Sequence, residues 1–301
     1  MPVEKVVIPV AGLGTRLLPA TKSQPKEMLP IGRKPVVQYV VEEMIAQDLK
    51  KILFVTGRNK RSIEDHFDRD PDLARSLSER VDSGVLEQLD YEGQGVHFFY
   101  TRQRVPEGRS APAGLGDAVG TAREFVGDEP FVVALGDAII RGGDHVELVR
   151  RLIHSHLHHG SACTIAVMEV EEEDTHRYGI VNPKGRAGSD FEIEDIVEKP
   201  SRADAPSNLA VAARYVFSPD IFSAIDRTVP GLGGEVQLTD AIRILLKMGK
   251  KVRCVRLKAD ERRYDIGNPE LYFKAFVDFA LMDQQYGYMV RQYLQKRLRE
   301  I

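Results

Sequence analysis

The chain has 301 residues, 43% hydrophobic and 29% charged, with a formal net charge of −3. That suits one large or two modest globular domains with a sizeable core, and the mixed, nearly balanced charge gives no nucleic-acid-binding surface, so basic residues are weighed locally. The first residues lack the apolar core of a secretory signal and no apolar run approaches a membrane span, while two isolated cysteines, Cys163 and Cys254, argue against a disulfide scaffold and for buried packing in a reducing cytoplasm.

The first apolar run predicts a strand over 6–10, running straight into the small-residue turn Ala11-Gly12-Leu13-Gly14-Thr15. Glycines let a backbone approach a ligand closely. The loop that follows carries Arg16, Lys22, Lys26, Arg33 and Lys34 against one acid, Glu27. Exposed N–H groups beside a basic loop make a place to hold phosphates. Periodicity then predicts a helix over 34–49, a strand over 52–56, a helix over 61–89 interrupted near Asp70-Pro71, and a strand over 96–101. The stretch 105–113 (VPEGRSAPA) reads as a mobile loop. A helix over 117–125 and a strand over 131–135 follow.

Alternation of strand and helix implies a largely parallel sheet covered on both faces, with ligands outside the carboxyl ends of the strands. Gly12, Thr56-Gly57 and Asp137 fall at such ends. His154, His156, His158 and His159 crowd one helix end before Gly160. His154 and His158, one turn apart, have metal-ligand spacing, but a helix C-terminus favours positive charge without a metal. Beyond them, strands are predicted over 163–169, 179–182, 191–199, 210–217 and 252–257, and helices over 219–225, 238–248, 269–281 and 286–299. With no clear linker or repeat, 1–301 reads as one α/β domain. Its parts are a portion carrying the glycine turn and basic loop (1–137), a β-rich portion (138–267) and C-terminal helices (268–301).

The turn is neither of two familiar phosphate loops. Leu17 stands where a dinucleotide fingerprint needs its third glycine, the strand 52–56 ends without the ribose-binding acid, and no G-x-x-x-x-G-K-[ST] run occurs. Instead, GLGTRLLPATK (12–22) followed by PKEMLPI (25–31) resembles the signature of bacterial nucleotidyltransferases that activate sugar phosphates, in particular uridylyltransferases acting on glucose 1-phosphate. The likeness returns at Thr56-Gly57-Arg58, Gly114-Leu115-Gly116, Val197-Glu198-Lys199-Pro200, Gly234-Glu235-Val236-Gln237 and Arg263-Tyr264-Asp265.

That resemblance implies a Rossmann-like, three-layer fold with a central mixed, mostly parallel sheet and a sugar-binding β subregion. It implies condensation of UTP with glucose 1-phosphate by in-line attack at the α-phosphorus. Thymidylyl or adenylyl transfer to a hexose 1-phosphate, or a silent regulatory paralogue, are the alternatives. Arg16, Lys26 and Lys199 match the cations that hold phosphates. Asp137 and Asp265 match the ligands of one Mg²⁺. Ala11, Gly12, Gly14, Glu27, Gln103 and Gly114 match the nucleotide site, where a Gln amide can pair with both a carbonyl and an N–H of a pyrimidine edge. Gly179, Glu198, Lys199 and Ala212 match the sugar-phosphate site. Such enzymes act in the cytoplasm, often as homo-oligomers, and the amphipathic stretch 276–298 offers either an interface or a cover for the core.

The chain departs from the family pattern in places. Asp117 replaces a His, and as an N-cap for the helix after it would be harmless, though a carboxylate near the nucleotide loop bears on base preference. Gly136 replaces a Pro, Ala213 a Gly, and the segment between Gln103 and Gly114 is longer.

Overall fold

Short apolar runs rich in Val, Ile and Phe extend, and the longer amphipathic ones coil. The computed structural model describes residues 2–72, 75, 90–143 and 146–300. Its strands are β1 (Lys5–Pro9), β2 (Pro30–Ile31), β3 (Lys34–Pro35), β4 (Lys51–Thr56), β5 (His97–Arg102), β6 (Phe131–Ala134), β7 (Ala138–Arg141), β8 (Cys163–Glu169), β9 (Gly179–Pro183), β10 (Asp190–Glu198), β11 (Leu209–Phe217), β12 (Val252–Arg256) and β13 (Arg262–Asp265). Its α-helices are α1 (Val36–Ile45), α2 (Arg61–Phe67), α3 (Leu115–Gly120), α4 (Arg123–Val126), α5 (Leu148–His159), α6 (Asp220–Asp226), α7 (Leu238–Lys247), α8 (Pro269–Leu281) and α9 (Gly287–Glu300). None of the described helices is long and apolar enough to cross a membrane.

Nine strands form one sheet in the order β5-β4-β1-β6-β11-β8-β12-β10-β9. β5, β4, β1 and β6 are parallel, with Val7 of β1 between Leu53 and Val133. Their carboxyl ends therefore share one edge. From β11 onward the pairing is antiparallel except for β8 with β12. The sheet is mixed, as expected, but not mostly parallel: half of its neighbouring pairs are antiparallel, and the parallel ones are concentrated in β5, β4, β1 and β6. One antiparallel pair follows from connection length: β9 and β10 are joined by residues 184–189, too short for a crossover.

Alternating side chains feed a core on each face. Val7, Leu53, Val55, Phe131 and Val133 pack with Ala118, Val119 and Ala241 of α3 and α7. Val6, Ile8, Ile52, Phe54 and Val132 pack with Val37, Val40 and Met44 of α1 and Leu152 of α5. Full burial of such a side chain is worth about 1.5–3 kcal/mol, so the period of two fixes the strand register firmly. A third cluster, with Ile31, Val36, Ile139, Ile266 and Phe279, docks α8 beside the short sheet of β7 and β13.

Several expectations are corrected. Helix 34–49 starts only at Val36, since Lys34-Pro35 pair with β2 and a proline's fixed φ suits the position before a helix. Helix 61–89 breaks after Phe67, at the interruption expected near Asp70-Pro71, and helix resumes at Pro71-Asp72; residues 73–74 and 76–89 lie outside the described residues. Helix 117–125 divides into α3 and α4. α3 begins at Leu115 after Gly114 (φ 104°), so Asp117 sits inside the first turn and is not the cap. β7 and β13 were unforeseen, because each is only four residues long and finds its partner far away in the chain.

Candidate active site

Everything the parallel strands deliver arrives at their shared carboxyl edge. β1 leads into the glycine turn, β4 into Gly57, β5 into Gln103 and β6 into Asp137. Gly57 lies so close to Ala11 that a Cβ there would stand 3.0 Å from the Ala11 carbonyl oxygen. Gly14 takes φ 67°, a left-handed conformation costly for other residues, and its carbonyl accepts from Thr21 Oγ1 at 2.8 Å. The loop thus folds back and brings Lys26 across the turn, with Nζ 3.9 Å from where a Gly12 Cβ would be.

Lys26 and Asp137 form an ion pair at the mouth of this edge, with side chains 16% and 23% exposed. Burial works against the Lys26 ammonium, but the carboxylates of Asp137, Glu27 and Asp265 outweigh it and hold its pKa above the ordinary lysine value. Burial likewise opposes ionisation of Asp137, and Lys26 with Arg263 overcomes it, leaving the carboxyl below its usual range. The β7–β13 pairing sets Asp265 opposite Ala138, so the two aspartates, remote in sequence, become neighbours. The Ile266 N–H donates to the Asp137 carbonyl at 3.2 Å. Arg16 Nη2 reaches within 3.7 Å of the Cβ position of Gly267, and the Gly267 N–H donates to Asp265 at 2.6 Å. Arg16, Lys26, Asp137 and Asp265 therefore meet. Arg33 and Lys34 do not join them, being bound to Asp283 and Glu42.

The remaining predicted residues divide by position. Glu27 is corrected as a side-chain contact to a base: its carboxylate is 2% exposed and spent on Lys60 at 2.8 Å, although burial still raises its pKa above the usual glutamate value. Gln103 and Gly114 are joined by a hydrogen bond of 2.9 Å. Gly114 and Gly116 press on Val236, whose carbonyl would lie 2.7 and 2.8 Å from added Cβ atoms. The 105–113 loop is tethered, since Arg109 donates to the carbonyls of Gly233 and Gly234. On the sugar side, Gly179 pairs with Glu198 across β9 and β10, and Thr239 Oγ1 donates to Glu198 Oε2 at 2.7 Å. The side chain of Ala212 is buried in the core, so only its backbone can touch a ligand. Lys199, at φ 44°, has a side chain 58% exposed, with its ammonium 3.2 Å from Glu198. The Tyr178 carbonyl accepts the Lys199 N–H, and Arg263 lies over the Tyr178 ring, 5.1 Å from its centroid.

Sequence reasoning missed three cations. Lys60 holds Glu27. Arg263 holds Asp265 at 2.6 Å; its signal was the spacing of two, which puts both side chains on one face of a strand. Arg214 is fully buried, bound to Glu43 at 2.6 and 3.1 Å and to the carbonyls of Ala213 and Ala138. A lone charge inside the apolar run 209–217 was its signal. The histidine group splits: His154 and His158 stack at 5.7 Å while His156 turns inward to Thr164. Among the described residues no three potential metal-ligating side chains gather.

Over residues 5–280 the chain matches the nucleotidyl transferase family. It is 43% identical over 283 residues to the UTP–glucose-1-phosphate uridylyltransferase of Bacillus subtilis, covering 94% of this chain and 93% of that protein. A UDP-glucose pyrophosphorylase from Acinetobacter baumanii superposes with a TM-score of 0.86 at 32% identity, over 98% of this chain and 99% of that one. A UDP-glucose pyrophosphorylase complexed with UDP-glucose superposes with a TM-score of 0.81 at 36% identity, over 94% and 100%. With sequence and fold in agreement over nearly the whole length, the chain belongs to the nucleotidyl transferase family, among the UTP–glucose-1-phosphate uridylyltransferases.

Proposed function

We propose that this chain joins UTP to glucose 1-phosphate, giving UDP-glucose and pyrophosphate. The observation that carries the reading is the meeting of a glycine turn with Arg16, Lys26, Asp137 and Asp265 at the carboxyl edge of the parallel strands. An oxygen of the sugar 1-phosphate attacks the α-phosphorus in line. The bond from that phosphorus to the bridging β-phosphate oxygen breaks, and pyrophosphate departs with that oxygen. The protein's task is to bring together and neutralise two polyanions. Lys26, kept protonated by its carboxylate neighbours, and Arg16 take the triphosphate and the leaving pyrophosphate. The backbone of Ala11, Gly12, Gly14 and Gly114 with Gln103 holds the base. Lys199 takes the sugar-side phosphate, while Glu198 and the backbone of Gly179 and Ala212 receive the sugar.

Asp137 and Asp265 are the residues that would hold a divalent ion, Mg²⁺ in this reading. They fit it as hard oxygen donors, each already facing a cation, Lys26 or Arg263. Two carboxylates leave the other positions to phosphate oxygens and water, the usual Mg²⁺ arrangement. When bound, the ion supplies charge neutralisation across the phosphates. The reading includes a cytoplasmic location, supported by two buried free thiols, and self-association through the exposed face of α8 and α9.

A pyrophosphate-release assay over a panel of triphosphates and sugar 1-phosphates tests the reading. UTP with glucose 1-phosphate is expected to give the highest kcat/KM. Preference for dTTP or ATP would replace the base assignment, and no release with any pair would indicate a silent paralogue. Asp137→Asn and Asp265→Asn are each expected to abolish most turnover in Mg²⁺; near-normal turnover in both would remove the metal assignment.

A further inference from the structure

Gln103 leaves the carboxyl end of β5, buried against the first turn of α3, with its N–H on the Thr56 carbonyl at 2.9 Å. Its side-chain nitrogen donates to the Gly114 carbonyl at 2.9 Å and to Asp117 Oδ2 at 2.7 Å. A primary amide has two N–H hydrogens, and both are spent. Which end is nitrogen is fixed by chemistry: both neighbours are acceptors, so an amide oxygen facing them would find no hydrogen. The amide therefore has only its oxygen left for any other partner. Simultaneous pairing with a carbonyl and an N–H of a pyrimidine, the expectation from sequence, is closed to it.

We propose that Asp117 is a positioning residue for base selection. With the Gly114 carbonyl it locks the Gln103 oxygen outward, so the site favours a base that offers a ring N–H there. The proposal rests on the uridylyl-transfer reading above and adds to it the residue that sets one arm of base specificity. Uracil and thymine both carry N3–H. Cytosine has a bare lone pair at N3 and can meet the oxygen only through its 4-amino group, with the ring displaced.

The test is the kcat/KM of the full-length enzyme for UTP, CTP and dTTP with glucose 1-phosphate. Asp117→Leu frees one amide hydrogen and lets the amide turn. The UTP-to-CTP ratio is expected to fall about tenfold, the usual size of one hydrogen-bond discrimination. The UTP-to-dTTP ratio and the KM for glucose 1-phosphate should hold, which a general loosening of the site would not allow. Asp117→Asn, whose side-chain oxygen still accepts, should keep the wild-type UTP-to-CTP ratio. Gln103→Leu should show the same fall by itself, and adding Asp117→Leu to it should change the ratio no further. An unchanged UTP-to-CTP ratio in Asp117→Leu or Gln103→Leu overturns the proposal, as does an equal further drop in the double variant or a lost ratio in Asp117→Asn. Wild-type enzyme releasing no pyrophosphate from UTP and glucose 1-phosphate would overturn the underlying reading instead.

Discussion

Gly136, which departs from the family pattern next to Asp137, has its cause in packing. A Cβ at this position would come within 2.5 Å of Val10 Cγ1 and 3.3 Å of Ile8 Cγ2. Val10 is buried and β-branched, so it cannot swing aside. Gly136→Ala is expected to cost about 1–3 kcal/mol by overpacking and to lower kcat by displacing Asp137. Val10→Ala in the same chain should recover part of that stability; urea midpoints of the two singles and the double decide it, with simple additivity counting against the clash. Arg263 works on the other aspartate. Arg263→Leu leaves Asp265 without its cation partner; under the proposed Mg²⁺ role of Asp265, the activity or Mg²⁺ affinity should fall about 10- to 100-fold. A Mg²⁺ titration of pyrophosphate release measures it. His156 is a pH liability of a different kind. Burial lowers its pKa to about 4 from 6.5, so as pH falls below 6.5 the unfolded chain takes a proton that the native state refuses. Stability is therefore lost between pH 6.5 and about 4, by roughly 3 kcal/mol in all. Comparing denaturation of wild type and His156→Gln across that range isolates the term: the two curves should diverge with pH.

At the scale of elements, Arg214 is the joint. From the bulge in β11 it binds Glu43 of α1 and the Ala138 carbonyl at the start of β7, the residue after Asp137. Breaking such a pair strands a buried charge, whereas removing both partners does not. Arg214→Leu should cost about 3–5 kcal/mol, and Arg214→Leu with Glu43→Leu distinctly less; chemical denaturation of both distinguishes a stranded charge from lost packing. The parallel half of the sheet was legible in the sequence, because there each strand is a short apolar run set apart by an amphipathic helix. β7 and β13 were not, since their pairing is long-range and four residues carry no period. For that reason the meeting of Asp137 with Asp265 was visible through a family resemblance and invisible in the local pattern around either residue. The glycine turn and Lys26 were readable for a local reason, as the loop supplies both. Glu27 was misread because the partner that buries it, Lys60, follows a different strand. The left-handed Ala213 (φ 62°) gave no signal in the apolar run around it, only in standing where the family pattern has a glycine.

At the scale of the whole molecule, the C-terminal helices leave an unpaired surface. The sequence allowed two roles for the stretch 276–298: Phe279 covers the core, whereas Tyr288 and Tyr293 stay exposed. Only Gly287 of α9 is buried, while Tyr288, Met289, Tyr293 and Leu298 are more than 60% exposed, as is Phe273 of α8. The helix pair is nonetheless held in place: Arg33 clamps Asp283 at 2.9 Å and lies over the Tyr286 ring at 5.0 Å, and Arg291 donates to the Leu281 carbonyl. Exposed aromatic and Met side chains of this kind, interspersed with Arg291, Lys296 and Arg299, are enriched at protein–protein contacts, in keeping with the self-association proposed above. A stable contact needs about 800 Å² from each partner. Light scattering on wild type should therefore give a mass at least twice 33.7 kDa. Tyr288→Glu with Met289→Glu should shift it to the single-chain mass while leaving the melting of the isolated fold nearly unchanged, because neither side chain packs on a core. A wild type that elutes as one chain at micromolar concentration would leave this face without the partner assigned to it.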